Sequence, residues 1–137
     1  MPDADNDYAN TTIYRKLTDT EHAIGYVAED GTIYKLRWNE GVRVGRVSAD
    51  QRVFRDTRYD ERELGSFTSD GRIHSHGLFE GGELGWVEPD GVVIQAGLIL
   101  GEEEIGRVEG TAMAAAGAAL LLLFFVDEQE ETRRSNR

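Results

Sequence analysis

Apolar and polar residues recur along this chain with a period of 20. Gly25, Gly45, Gly65 and Gly85 sit in the same phrase: IGYVAEDGTIY from Ile24, VGRVSADQRVF from Val44, LGSFTSDGRIH from Leu64 and LGWVEPDGVVI from Leu84. A truncated copy, IGRVEG from Ile105, follows one residue late, and an unmatched half copy, TIYRKL from Thr12, precedes the first. A fixed period of this length marks one supersecondary unit used repeatedly, each unable to bury its apolar face alone.

Each copy reads as a β-hairpin. Asp-Gly at 30–31, 70–71 and 90–91 predicts a type I turn followed by a left-handed glycine, the usual three-residue hairpin loop. That register sets Val27 across from Ile33, Val47 from Val53, Phe67 from Ile73 and Val87 from Val93 on one face, with Ile13 and Val108 joining them from the half copies. Ile24, Val44, Leu64, Leu84 and Ile105 fall three residues before the inward valine or phenylalanine, so strict alternation would turn them to the opposite face. A bulge at the adjacent glycine would turn both sets inward; a two-sided sheet is the alternative. Asn39-Glu40-Gly41, Tyr59-Asp60-Glu61, Glu80-Gly81-Gly82 and Gly101-Glu102-Glu103 read as connections between hairpins.

The fold class is therefore mainly β: an antiparallel meander of ten strands, one near 12–17, eight in the four full copies and one near 104–109. Pairing the two half units would complete a further repeat, close a barrel and remove the sheet edges. The chain divides into a flexible acidic N-terminus (1–11), a β-repeat domain (12–110), an apolar helix (111–126) and a charged tail (127–137).

The apolar stretch from Thr111 to Val126, TAMAAAGAALLLLFFV, carries no charge. Alanine and leucine dominate it, which predicts a helix. A helix apolar all round is buried in protein or in lipid. Sixteen residues reach about 24 Å at 1.5 Å each, just short of the roughly 17–20 that span a bilayer. A ten-stranded barrel is wider than the eight-stranded kind whose own side chains fill it. The helix is therefore expected as a central plug. The alternative is a transmembrane anchor, with Arg133, Arg134 and Arg137 favouring a cytoplasmic C-terminus.

Ile33-Tyr34, Gly41 followed by Val44-Gly45, and Leu84-Gly85-Trp86-Val87 resemble the phrases of a family of small bacterial proteins, the four-fold β-flower. The resemblance spans about residues 12–110. The fifth half copy and the C-terminal segment depart from it. The family has no assigned activity, so the resemblance carries over no catalytic residue. A barrel around an apolar C-terminal helix is also similar in architecture, though in no motif, to tubby-like and scramblase-like domains.

The 137 residues carry a formal net charge of −11, with 26 acidic and 15 basic residues. That balance argues against general nucleic-acid or anionic-membrane binding. Residues 35–72 are the exception, with nine bases and seven acids; they read as a face of mixed ion pairs or as a docking patch for an acidic partner or phosphate. The chain has no cysteine, which excludes disulfides, zinc-thiolate sites and thiol catalysis. Its N-terminus has neither the basic nor the apolar region of a secretory signal, so a cytoplasmic location is expected, or a membrane-anchored one if the helix lies in lipid.

Candidate chemistry is sparse. His74 and His76 lie two apart on one strand and share a face, which suits a metal pair; as polar residues on an outer face they need no ligand. Asp30, Asp50, Asp70 and Asp90 would ring one end of the barrel where calcium could bind, although turn geometry alone explains them. Ser48, Ser66, Ser69 and Ser75 lack a nucleophile-elbow context. Trp38, Trp86, Tyr26 and Tyr34 read as half-buried strand packing or as a binding surface. The expectation is a non-enzymatic binding or interaction module with no cofactor. Its partner would be a protein or a small ligand; the alternative is an accessory protein tethered to a membrane by Thr111–Val126.

Overall fold

The computed structural model describes residues 10–76, 83–96 and 101–135. Ten antiparallel strands close into a barrel. They are β1 (Thr11–Lys16), β2 (Glu21–Val27), β3 (Thr32–Arg37), β4 (Glu40–Val47), β5 (Arg52–Asp56), β6 (Glu61–Phe67), β7 (Arg72–Ser75), β8 (Glu83–Val87), β9 (Val92–Gln95) and β10 (Glu103–Glu109). Neighbours in sequence are neighbours in the sheet, and β1 pairs with β10 to complete the ring. The split repeat is thereby a fifth hairpin, with Ile13 opposite Val108.

The hairpin register follows the turn chemistry. Val27 pairs with Ile33, Val47 with Val53, Phe67 with Ile73 and Val87 with Val93. Gly31, Gly71 and Gly91 have φ of 89°, 95° and 94°. Each accepts a hydrogen bond at its carbonyl from the next hairpin, through the N–H of Val47, Val87 and Val108 at 2.7–2.8 Å. In the second copy the glycine is replaced, yet Gln51 keeps the left-handed conformation at φ 64° and its carbonyl takes the Phe67 N–H at 3.0 Å. The inward residues are buried, except Val47, which is half-buried at the edge of the same cluster.

The ladder slips by one residue at the same point of all five repeats. Ile13 pairs with Gly25 and Tyr14 with Ala23, leaving Ile24 unpaired; Val44, Leu64, Leu84 and Ile105 are passed over likewise. Each bulge turns its apolar residue toward the core, where Ile105 is fully buried and the other four are partly buried. The two-sided sheet is not formed.

The connections begin a little earlier than the sequence suggests. The β3–β4 turn is Trp38-Asn39, so Glu40 and Gly41 belong to β4; Glu61 starts β6 and Glu103 starts β10. Two positive φ values, at Trp38 and Asn39, make a two-residue turn that returns the chain sooner. Glu80-Gly81-Gly82 lies outside the described residues.

One helix, α1, runs from Met113 to Ser135 down the barrel. The buried Thr11 at the head of β1 receives the Ala112 N–H on its hydroxyl oxygen at 2.8 Å, at the helix entry. Leu120 to Phe125 are buried within the ring. The alternative of a transmembrane anchor is corrected: the segment is packed against strands on all sides, and no helix among the described residues is long and apolar enough to cross a membrane. The helix also continues through the charged tail as far as Ser135.

Five repeat glycines face five consecutive helix residues. A Cβ on Gly106 would lie 3.0 Å from Leu120, on Gly85 2.7 Å from Leu121, on Gly65 2.9 Å from Leu122, on Gly45 3.2 Å from Leu123, and on Gly25 2.7 Å from Phe124. One hairpin is one fifth of the ring, so successive side chains must turn by about 72°, whereas an α-helix turns about 100° per residue. Over Leu120–Phe124 the helix is a π-helix, the wider winding, which lets one side chain meet each hairpin.

Candidate functional site

The helix leaves the barrel at the end opposite the Asp-Gly turns, and there a collar of charges holds it. Arg15, Lys35 and Arg55 stand 20 residues apart in the same slot of three hairpins. Arg15 Nε donates to Glu128 at 2.7 Å, Arg55 Nη1 donates to Asp127 at 3.2 Å, and Lys35 Nζ lies 4.0 Å from Glu131. Arg15 also covers the Phe125 ring at 5.2 Å. The matching slots on β7 and β9 hold Ser75 and Gln95 instead.

Among the described residues, two grooves flank the helix at this mouth. One, of about 340 Å³, has Leu17, Ile24 and Phe124 as apolar lining, with Arg15, His22 and Lys35 facing the acids Asp127, Glu128 and Glu131 of the helix. The other, of about 440 Å³, is lined by Leu64, Leu84, Leu122 and Val126 with Arg62, Glu63, His76 and Glu130. Two aromatic residues project beyond them from neighbouring turns. Trp38 is 96% exposed and Tyr59 is 87% exposed. Trp38 sits at φ 52°, a conformation that costs a residue with a Cβ about 1–2 kcal/mol. Tyr59 is at the centre of a turn closed by Thr57 N–H to the Asp60 carbonyl at 2.8 Å. The other aromatics named from sequence are wall packing: Tyr26 and Tyr34 stack at 4.9 Å, and Trp86 is half-buried.

The two candidate histidines have different neighbours. His74 lies opposite Ser66 on β6, while the His76 ring, just past β7, is held by Glu63 through Nδ1 and lies 3.2 Å from Ser66 Oγ through Nε2. Among the described residues no group of three or more His, Cys, Asp or Glu side chains is placed to hold a metal ion. The turn aspartates hold their own turns. Asp30 accepts the Thr32 N–H at 3.0 Å and Asp90 the Val92 N–H at 3.2 Å, while Asp50 and Asp70 take the hydroxyls of Ser48 and Thr68. These bonds hold the carboxyls of Asp30, Asp50 and Asp70 below their ordinary range.

Ser66, His76 and Glu63 stand in the hydroxyl–imidazole–carboxylate order of a hydrolytic triad. Reading the serines for a nucleophile elbow misses this grouping, because its members come from two strands. The repeat shows what the slot is for. The positions of Glu63 and His76 are those of Arg43 and Asp56 one hairpin earlier, an ion pair at 2.9 Å, and of Glu104 and Lys16 where β10 meets β1, also an ion pair. Glu63 is further held by Arg52 Nη1 at 2.8 Å, and Arg52 first, then His76, lowers its pKa from the ordinary value. Ser66 lines neither groove. The group fills a slot that carries a charged pair in three of the five hairpins, with a serine beside it.

The arginine-rich span is largely paired: Arg43 with Asp56, Arg46 with Glu61, Arg52 with Glu63 and Arg55 with Asp127. Arg37, Arg58 and Arg62 make no ion pair with a described carboxylate, although Arg37 lies across the turn from Glu40. Comparison of the chain with protein-family models, curated proteins and solved structures finds no match. The likeness to the four-fold β-flower therefore rests on its phrases alone.

Proposed function

We propose that this chain is a non-enzymatic binding module whose working surface is the end of the barrel from which the helix emerges. The observation that carries this reading is the pair of exposed aromatic tips, Trp38 and Tyr59, on an otherwise internally satisfied molecule. Among the described residues, α1 packs its Ala116–Phe125 face into the core that the strands enclose. Most arginines of the described wall are paired with carboxylates. The closed, edge-free sheet is a rigid mount for short turns, and binding residues are commonly carried on such turns.

A fluorophosphonate probe, which modifies activated serines, tests the reading against hydrolysis. Ser66 should remain unmodified in the full chain under conditions that label a serine hydrolase to completion. Labelling of Ser66 that His76→Ala abolishes would replace the binding reading with a catalytic one.

A further inference from the structure

We infer that the paired tips Arg37-Trp38 and Arg58-Tyr59 form a docking surface for a partner protein that offers an apolar recess ringed by carboxylates. This deepens the binding-module reading and rests on it. β3, β4, β5 and β6 are successive in the ring, so the two turns are neighbours at one end of the barrel. In both, an arginine immediately precedes an exposed aromatic residue.

Neither aromatic is part of the core. Asn, Asp or Gly is the usual choice at a left-handed turn position, and Trp38 occupies one with its indole in water. The adjoining guanidiniums are equally uncommitted: Arg58 lies over its own neighbour's ring, 5.3 Å from the Tyr59 centroid, and neither Arg37 nor Arg58 has an ion pair with a described carboxylate. By contrast Arg15, Arg43, Arg46, Arg52, Arg55, Arg72 and Arg107 are all paired, and Arg62, also without a described partner, lies within β6 and not at a turn tip. Tryptophan, tyrosine and arginine are the residues that most often dominate a protein interface. A turn tip is convex, so its counterpart is a recess.

Charge selects a protein over the other anionic surfaces. Docking on an anionic bilayer relies on several unopposed basic residues, and a nucleic-acid strand likewise presents continuous negative charge. Here Glu40 and Asp60 flank the tips, Glu128, Glu130 and Glu131 lie on the helix that leaves by the same end, and the chain as a whole carries −11. A uniform negative surface would meet all of these. A folded partner can set one carboxylate against each guanidinium and leave Glu40 and Asp60 facing water.

Site-specific photocrosslinking in the source cells tests this. The photoreactive residue p-benzoyl-phenylalanine is placed at 38, at 59, or at the exposed position 29 of the opposite end, each in the full chain. A discrete protein adduct is expected from 38 and 59 and not from 29. The captured protein, identified and purified, should bind the unmodified chain directly. Arg37→Gln and Trp38→Ala should each weaken that binding by about tenfold or more, with the melting temperature unchanged. Absence of an adduct at both tips, an equal adduct at 29, or affinity indifferent to both substitutions would overturn the proposal. So would Trp38-dependent binding to phosphatidylcholine–phosphatidylglycerol vesicles or to oligothymidylate, and each of these would leave the binding-module reading standing.

Discussion

Gly85 lies directly against Leu121: a Cβ at position 85 would fall 2.7 Å from Leu121 Cδ1 and 2.1 Å from the Ile94 carbonyl oxygen. The leucine can rotate, but the carbonyl belongs to β9, whose Ile94 is paired with Trp86. Gly85→Ala is therefore expected to overpack the interior and destabilise the barrel by about 1–3 kcal/mol. Urea unfolding checks it: the midpoint should fall with the slope unchanged. An unchanged midpoint would mean that the helix and β8 do not approach so closely.

The match of five residues to five hairpins makes the length of the leucine run critical. Deleting one residue of Leu120–Leu123 leaves four side chains and Phe125 competing for five glycine niches. It also rotates Asp127 and Glu128 away from Arg55 and Arg15 by about 72°, the turn per residue that five hairpins impose on this wider winding. We predict a loss of stability larger than that of Leu121→Ala, which should itself cost about 2–5 kcal/mol. Comparison of the two thermal midpoints decides it. If the deletion is the milder of the two, the π segment is incidental to packing.

Much of this architecture was legible in the sequence because its signals are local. Asp-Gly turns carry their own backbone preference, and Val87 and Val93 fall opposite each other once the turn type is known. The bulge at Ile24 and its equivalents was legible for a related reason: an apolar residue beside a glycine, repeated five times, has no other way inward. The π-helical winding was not legible. It answers to the number of hairpins around the ring, a property of the closed barrel and not of the run LLLLF. The collar lies between these cases. Arg15, Lys35 and Arg55 share the 20-residue period, but their partners, Glu128, Glu131 and Asp127, follow no repeat. The exposure of Trp38 was hidden too, because a tryptophan at the end of a strand ordinarily reads as half-buried packing.

Gln51 occupies the turn position that its sister repeats give to Gly31, Gly71 and Gly91, and it keeps φ at 64°. A side chain in that conformation costs about 1–2 kcal/mol. Glycine removes this strain but loses about 0.5–1 kcal/mol more backbone freedom on folding. Gln51→Gly should thus stabilise the barrel by up to about 1.5 kcal/mol, the difference between those two effects. Chemical denaturation resolves a change of this size. A destabilised variant would show that the Gln51 side chain makes a contribution beyond its backbone shape.

Acid should unfold this protein through its outer wall. Hydrogen bonds from Arg107 to Glu21, from Arg46 to Glu61 and from Arg52 and His76 to Glu63 hold all three carboxyls below their ordinary range, as turn bonds do for Asp30, Asp50 and Asp70. A carboxyl whose pKa is lower in the native state binds fewer protons there than in the unfolded chain. Its contribution is complete above the unfolded values of about 4 and disappears as pH falls through the native ones. Lys16 works in the opposite sense. Glu104 raises its pKa, so that contribution is complete below about 10 and is lost only at higher pH. Self-repulsion of the −11 chain opposes the acid trend, because protonation relieves it. Measuring at high salt screens that repulsion, although it also weakens the exposed pairs. Thermal midpoints in high salt should accordingly be nearly level from about pH 8 to 5 and fall steeply below about pH 4. Glu61→Gln should lower the midpoint at pH 7 and shrink the difference between pH 7 and pH 3. A fall already complete by about pH 6 would contradict the assignment, since none of these carboxyls changes its proton there in either state.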